Sequence, residues 1–215
     1  MSSINPHYTL SYVQPAEYRF SHDSVFLARR VFEIMQSTGL NPNRVMDLCS
    51  GCGVVGIDYL MHLQNAGMPS PGKIDFLEVQ SVYHSFFARN IAQVENVKSF
   101  EFMTLNYADV VHKKELQSQY DLILCNPPYF QKQMGVLSDS EFKNRCRFFI
   151  DSDFTNLMQA LIFLLKPMAS AFVLLKDLSQ NGIPLSEQLQ IFSDQLSFKI
   201  LEKVRTTDLY QIQLI

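Results

Sequence analysis

The sequence predicts an α/β fold, a mostly parallel sheet with helices on both faces, and three observations carry the expectation. Short β-rich runs alternate with helix-like segments along most of the chain, the signature of right-handed βαβ units. The strand runs are apolar on successive residues, as in Leu122-Ile123-Leu124, which suits strands covered on both sides. The last 18 or so residues hold two strand-like runs with no helix between them, so the sheet is expected to end in an antiparallel pair. At 215 residues, with no internal repeat and no linker rich in proline or glycine, the chain reads as one domain over 1–215. Within it, 1–41 form an N-terminal hairpin and helix and 42–215 the core.

Each element has its own signal. Runs 8–13 and 18–20 read as a hairpin, and a helix follows over 22–35 with Ser21 as its N-cap. The core strands are read at 44–48, 73–79, 99–105, 120–125 and 169–176. Helices are read between them at 54–64, 81–95, 108–117, 153–165 and 185–195. The closing strands are 198–205 and 209–215, joined by Thr206-Thr207-Asp208.

Composition narrows the function classes. The chain is 47% hydrophobic and 18% charged, an ordinary globular balance that excludes disorder and fibrous repeats. A net charge of −3 argues against the uniformly basic surface of a nucleic-acid coat protein, though not against a local basic patch. The N-terminus has neither a charged n-region nor an apolar h-region, and no run of about 18 apolar residues occurs, so no membrane association and a cytoplasmic location are expected. Cys49, Cys52, Cys125 and Cys146 are expected to be reduced thiols, since a core of this size needs no disulfide framework.

Between strand 44–48 and helix 54–64 lies Asp47-Leu48-Cys49-Ser50-Gly51-Cys52-Gly53-Val54-Val55-Gly56, a complete G-x-G-x-x-G at a strand-to-helix turn. Spacing alone also fits a dinucleotide fingerprint. Asp47 separates the readings, because a carboxylate beside the loop repels a pyrophosphate. S-adenosylmethionine carries no phosphate; its ammonium and sulfonium suit an acid beside the close-approach glycines Gly51 and Gly53. Cys49 and Cys52 form a C-x-x-C, but no second pair completes a metal site, and both serve as small residues in a tight turn, so no metal is expected. Glu78, at the tip of the second strand and 25 residues after Gly53, is placed to accept both hydroxyls of a ribose. At the tip of the third strand, Asn106 is the candidate for the adenine contact with Asp109 as the alternative, and a helix-cap role for Asn106 is equally compatible.

The strongest signal is Asn126-Pro127-Pro128-Tyr129 after strand 120–125, at the edge where α/β sheets bind ligands; a chance match is on the order of one in a thousand. Two prolines remove backbone donors and stiffen the loop. An aromatic or amide amine is a poor nucleophile because its lone pair is delocalised. Asn126 Oδ1 and the Pro127 carbonyl can each accept one of its N–H groups, letting the nitrogen pyramidalise toward a sulfonium methyl. Asn126 thus also borders the cofactor, and Tyr129 is placed to stack on a planar base. The following segment 130–149 carries Lys132, Lys143, Arg145 and Arg147 against Asp139 and Glu141, a local +2 suited to RNA phosphates.

With these motifs in view, the chain resembles the class I methyltransferases of exocyclic nitrogens, and more narrowly the tRNA adenine-N6 methyltransferases that act beside the anticodon of a valine tRNA. The resemblance rests on Tyr18-Arg19-Phe20-Ser21-His22-Asp23-Ser24-Val25-Phe26-Leu27-Ala28, on 47–53, on Asn126-Pro127-Pro128-Tyr129-Phe130, on Cys146-Arg147 and on Leu165-Lys166-Pro167. It covers residues 18–176 and implies a Rossmann-like seven-stranded sheet with one antiparallel strand. It also implies S-adenosylmethionine as cofactor, cofactor contacts around Ser21 and Asp23, and tRNA as partner. Two positions depart from the family pattern: Asn106 stands where an aspartate is usual, and Phe149 where an acid often follows the arginine. The rival with the same tetrapeptide is N5-glutamine methylation of a protein such as a release factor, which usually adds a helical N-terminal domain; methylation of another RNA base amine also remains open. A nicotinamide oxidoreductase is disfavoured by Asp47 and the tetrapeptide, and binding without turnover by Asp47, Glu78 and Asn126 together. Oligomeric state leaves no mark in the sequence.

Overall fold

The computed structural model describes residues 10–131, 137–179, 184–204 and 207–215. Nine strands and six α-helices are assigned among them. In chain order these are α1 (His22–Thr38), β1 (Arg44–Leu48), α2 (Val54–Asn65), β2 (Lys73–Glu78), α3 (His84–Ile91), β3 (Phe100–Thr104) and β4 (Tyr120–Cys125). Then follow β5 (Phe130–Gln131), α4 (Glu141–Arg147), β6 (Phe148–Phe149), α5 (Phe154–Leu164), β7 (Leu165–Leu175), α6 (Leu185–Gln190), β8 (Leu196–Val204) and β9 (Thr207–Leu214).

Seven strands form one sheet in the order β3-β2-β1-β4-β7-β9-β8, and β9 runs antiparallel to both of its neighbours. The mostly parallel sheet with a closing antiparallel pair is as expected. Alternate residues of β1 serve different layers: Val45 joins the cluster that includes α1 and α2, while Met46 and Leu48 join the one that includes α5. That double burial is why the strand runs read as continuously apolar. The chain changes direction across the sheet between β1 and β4, and the carboxyl ends of β1, β2 and β4 meet there, Leu48 lying opposite both Leu77 and Cys125. Such a switch point opens a ligand crevice.

Several boundaries differ from the sequence reading. No hairpin forms over 10–20; instead both backbone groups of Val13 bond the Asn90 side chain, its N–H donating to Oδ1 at 2.7 Å and its carbonyl accepting from Nδ2 at 2.9 Å. A side-chain amide thus replaces the partner strand, while 8–9 lie outside the described residues. Ser21 occupies the N-cap position of α1 with extended backbone, but its side chain makes no capping bond. The helix read at 108–117 is two 3₁₀ turns, Tyr107–His112 and Lys114–Leu116, because Lys113 has non-helical dihedrals between them. The one read at 81–95 is a 3₁₀ turn, Ser81–Tyr83, followed by the shorter α3. Helix α6 likewise ends at Gln190 rather than 195. Strand β7 begins at Leu165, passing through Pro167 with a register shift against β4 between Tyr120 and Leu122. Thr207 and Asp208 belong to β9, pairing with Val204 and Lys203, rather than to a connecting turn. The loop read at 130–149 contains α4 and a two-stranded parallel ribbon, with Phe130 opposite Phe148.

Candidate active site

A cleft of about 1050 Å³, counting the solvent at its mouth, opens at the switch point, where α/β sheets bind ligands. Its floor is the glycine loop. Gly51 has φ +53 and Gly53 φ +85, a region that favours glycine, and a Cβ on Gly53 would stand 2.8 Å from the Phe87 ring. Gly56 serves packing: a Cβ there would meet Phe76 at 2.6 Å. Gly51 borders the cleft, whereas Gly53 shapes the turn from behind it.

Asp47 also lies behind the loop, which corrects its expected place beside the ligand. It is fully buried and absent from the cleft wall, and its Oδ2 accepts the Gly56 N–H at 2.8 Å. Burial pushes its pKa up to about 8, against the lowering pull of that hydrogen bond, so the carboxyl is largely protonated at neutral pH. Of the two strand acids, the one on the cleft wall is Glu78. Its Oε2 accepts from Gly51 N at 2.9 Å and its Oε1 from Gln80 N at 2.9 Å, so the same carboxylate faces the cleft and clamps the loop. Burial raises its pKa too, opposed by these backbone donors.

The tetrapeptide forms the opposite wall. Asn126 Nδ2 donates to Ser24 Oγ at 2.8 Å, and the Tyr129 hydroxyl donates to Asn126 Oδ1, so the amide is held at both ends. Tyr129 N donates to the Arg147 carbonyl at 3.2 Å, tying the loop to α4. Burial raises the Tyr129 pKa above the ordinary tyrosine value, which keeps that donor protonated. Pro127 and Pro128 line the cleft beside them. The Tyr129 ring borders this cleft and a second one of about 360 Å³ behind it.

The remaining expectations divide. Ser21 lines the cleft but Asp23 does not; Ser24, one residue on, does. Asn106 lines the cleft and Asp109 does not, and Asn106 is at the same time a cap, accepting from Ala108 N at 3.0 Å and donating to the Asp151 carbonyl at 2.7 Å. Arg145 is not available for phosphate: it pairs with Asp151, Nη2 to Oδ1 at 2.8 Å and Nε to both oxygens at 2.9 and 3.0 Å. Lys143 and Arg147 make no ion pair among the described residues, and Lys132 lies outside them. The sequence reading missed Ser24, Ser50 and Tyr83. Ser50 is 3% exposed and lines the cleft with no partner for its Oγ among the described residues. Its position inside the glycine loop was a usable signal; Ser24 and Tyr83 come from α1 and the turn after β2, and only folding brings them in.

The family model described as lysine methyltransferase matches residues 21–140, more than half of the chain. Among curated proteins, the tRNA1(Val) (adenine(37)-N6)-methyltransferase of Shewanella sediminis is 32% identical over 84 residues, 38% of this chain and 34% of that one. The protein of the same name from Shewanella putrefaciens is 24% identical over 173 residues, 80% of this chain and 65% of that one. The chain therefore spans from about a third to somewhat under two thirds of the length of these relatives. Among solved structures, the hMettl16 catalytic domain in complex with a MAT2A 3′UTR hairpin superposes with TM-score 0.59 at 17% identity, over 97% of this chain and 76% of that one. The O-methyltransferase from Bacillus cereus in complex with SAH gives 0.56 at 15%, over 94% and 84%. At such identities the likeness is one of fold. With the glycine loop, the acid-tipped second strand and this strand order in place, the chain belongs to the family described as lysine methyltransferase, among the class I S-adenosylmethionine-dependent methyltransferases.

Proposed function

We propose that the chain methylates the exocyclic N6 amine of an adenine in tRNA. The observation that carries the reading is Asn126, an amide held between Ser24 and Tyr129 on the wall of the cleft and followed by two prolines. The names of the Shewanella relatives support the nucleobase and the RNA class.

The cleft fits S-adenosylmethionine. Its charged lining residues are Glu78, Asp151 and Arg145, and Arg145 is neutralised by Asp151, so the wall favours a cation and hydroxyls over a pyrophosphate. The unpartnered Ser50 Oγ is a buried polar atom that a ligand can satisfy. Glu78 and Asn106 would hold the nucleoside half, and Gly51, Ser50 and Ser21 the rest. When bound, S-adenosylmethionine supplies a methyl group made electrophilic by its sulfonium. Asn126 Oδ1 has a second lone pair beyond the one facing Tyr129, and with the Pro127 carbonyl it accepts the two N–H groups of the amine. Both acceptors gain strength as positive charge develops on nitrogen, so they favour the transition state over the ground state, and the methylated arylammonium, a strong acid unlike a lysine ammonium, then gives up its extra proton to water. Tyr129 keeps Oδ1 in place through its hydroxyl, while its ring offers a flat wall to the base.

A second reading, methylation of a protein, is favoured by the description of the family model. A lysine ammonium must lose a proton before it attacks, and an amide such as Asn126 cannot take it; a glutamine amide presents the same delocalised nitrogen as adenine. Transfer of labelled methyl to unmodified tRNA, a release factor and a lysine-rich protein in parallel decides between them. N6-methyladenosine in the digested tRNA is the expected result. Label confined to either protein overturns the RNA assignment.

A further inference from the structure

We propose that Lys176 and Arg147 form a two-cation site for a phosphodiester of the RNA strand next to the target base, with the smaller cleft behind Pro128 receiving the attached nucleobase. This rests on the RNA reading above. Lys176 follows β7 directly, and because β7 runs parallel to β4 it emerges at the same sheet edge as the tetrapeptide. Cys125 lies opposite Val173, so three residues further on Lys176 stands level with Pro128, and both border the smaller cleft.

The two cations converge on one ring. Lys176 Nζ is 5.2 Å and Arg147 Cζ 5.8 Å from the centroid of Phe130, and Arg147 is also 5.6 Å from that of Phe148. Attraction to a partly buried aromatic ring is weak and does not by itself explain two like charges gathered on it. Neither cation forms an ion pair among the described residues, whereas Arg145, two residues before Arg147, is taken up by Asp151. Asp177, the carboxylate nearest Lys176 in the chain, already accepts from the backbone of Ser179 and Leu185 and from the Ser179 hydroxyl. The site is therefore open to an anion from outside the chain.

The cleft beside it says what carries that anion. Phe149, Phe154, Leu175 and Leu178 give it apolar walls, and Gln188 contributes an amide. A flat, largely apolar ring with hydrogen-bonding edges, joined to a singly charged diester, matches both halves, and the two clefts share Pro128, Tyr129 and Phe149, so a nucleotide held in the smaller one lies next to a base presented to Asn126.

The test is anisotropy of a labelled single-stranded RNA oligonucleotide and of unmodified tRNA across a salt series, with Lys176→Ala, Lys176→Met, Lys176→Arg and Arg147→Ala. Loss of the charge should weaken binding about tenfold and flatten the salt dependence by roughly 0.7–0.9 of a unit of slope for each cation removed. Lys176→Arg should restore both quantities, and the rise in Tm with S-adenosylmethionine should match the unsubstituted protein throughout. Wild-type affinity and slope in Lys176→Ala overturn the phosphodiester site while leaving the RNA reading intact. A loss that Lys176→Arg fails to rescue makes the lysine a packing residue on Phe130 and also overturns it. If the unsubstituted protein binds neither RNA but binds an acidic peptide through Lys176, both readings fall.

Discussion

Asn126 owes its orientation to residues 102 positions upstream and 3 downstream. Asn126→Ala removes an acceptor preorganised for the transition state, and kcat should fall by roughly 10²–10³-fold with little change in cofactor affinity. Ser24→Ala leaves the amide intact but free to turn at its Nδ2 end, so kcat should drop by about tenfold, the scale of one neutral hydrogen bond. Steady-state kinetics with tRNA checks both, and a Ser24→Ala enzyme with unchanged kcat would detach Ser24 from the chemistry. Asp47 makes a different prediction. Its folded pKa of about 8 lies above the unfolded value, so it binds a proton in the native state that the unfolded chain has already released. Its stabilising contribution is complete below about pH 4 and is lost as pH rises through about 8. Asp47→Asn keeps an acceptor for Gly56 N–H and does not titrate. Its stability relative to the unsubstituted protein should therefore climb between pH 5 and 8, by up to about 1.4 kcal/mol per pH unit. Equal Tm differences at both ends of that range would contradict the buried, protonated Asp47.

At the scale of elements, α4 and β6 cover the cleft. Ser140 caps α4 through Lys143 N, Arg145 on its last turn grips Asp151, and the Asp151 carbonyl holds Asn106. The arginine that reads as a phosphate ligand in the sequence is thus a brace for the cleft wall. Arg145→Ala should raise the dissociation constant of S-adenosylmethionine several-fold, the effect of freeing a partly exposed ion pair, while leaving the salt dependence of RNA binding unchanged. Calorimetric titration with the cofactor and the RNA salt series together distinguish this from a phosphate contact. Local signals fail here for a physical reason: a cation's partner is chosen by which carboxylate folding places nearby, and Asp151 follows Arg145 by a spacing that no helix or strand period singles out.

Across the whole molecule, the far end of the sheet carries a buried cluster of its own. Asp75 in β2 is fully buried and bonded by Tyr120 at 2.7 Å, by Arg44 at 3.2 Å and by Lys73 at 3.0 Å, joining three strands away from the cleft. Asp75→Ala strips these donors of their acceptor and should destabilise the fold by about 3 kcal/mol, lowering Tm by roughly 6–12 °C. Thermal melts with and without S-adenosylmethionine should show the same cofactor-induced rise in this variant as in the unsubstituted protein.

What the sequence determined by itself was whatever depends on neighbours along the chain. The apolar runs of β1 and β4 were legible to the residue because burial on both faces leaves no alternation to blur their ends, and the glycine loop because positive φ demands glycine at Gly51 and Gly53. The tetrapeptide was legible for the same reason, since two prolines stiffen a loop wherever they stand. Tertiary structure alone decided which acid faces the cleft. Asp47 and Glu78 stand at or near the ends of adjacent strands and look alike in sequence, and since Asp47 lies opposite Phe76 they even share a face; what separates them is depth, Asp47 sitting one residue inside its strand beneath Gly56, while Glu78 at the tip of β2 reaches to Gly51. It also decided that Lys176 and Arg147, 29 residues apart, share one phenylalanine ring, because parallel strands bring distant segments to a common edge and the sequence records only the ends of those strands.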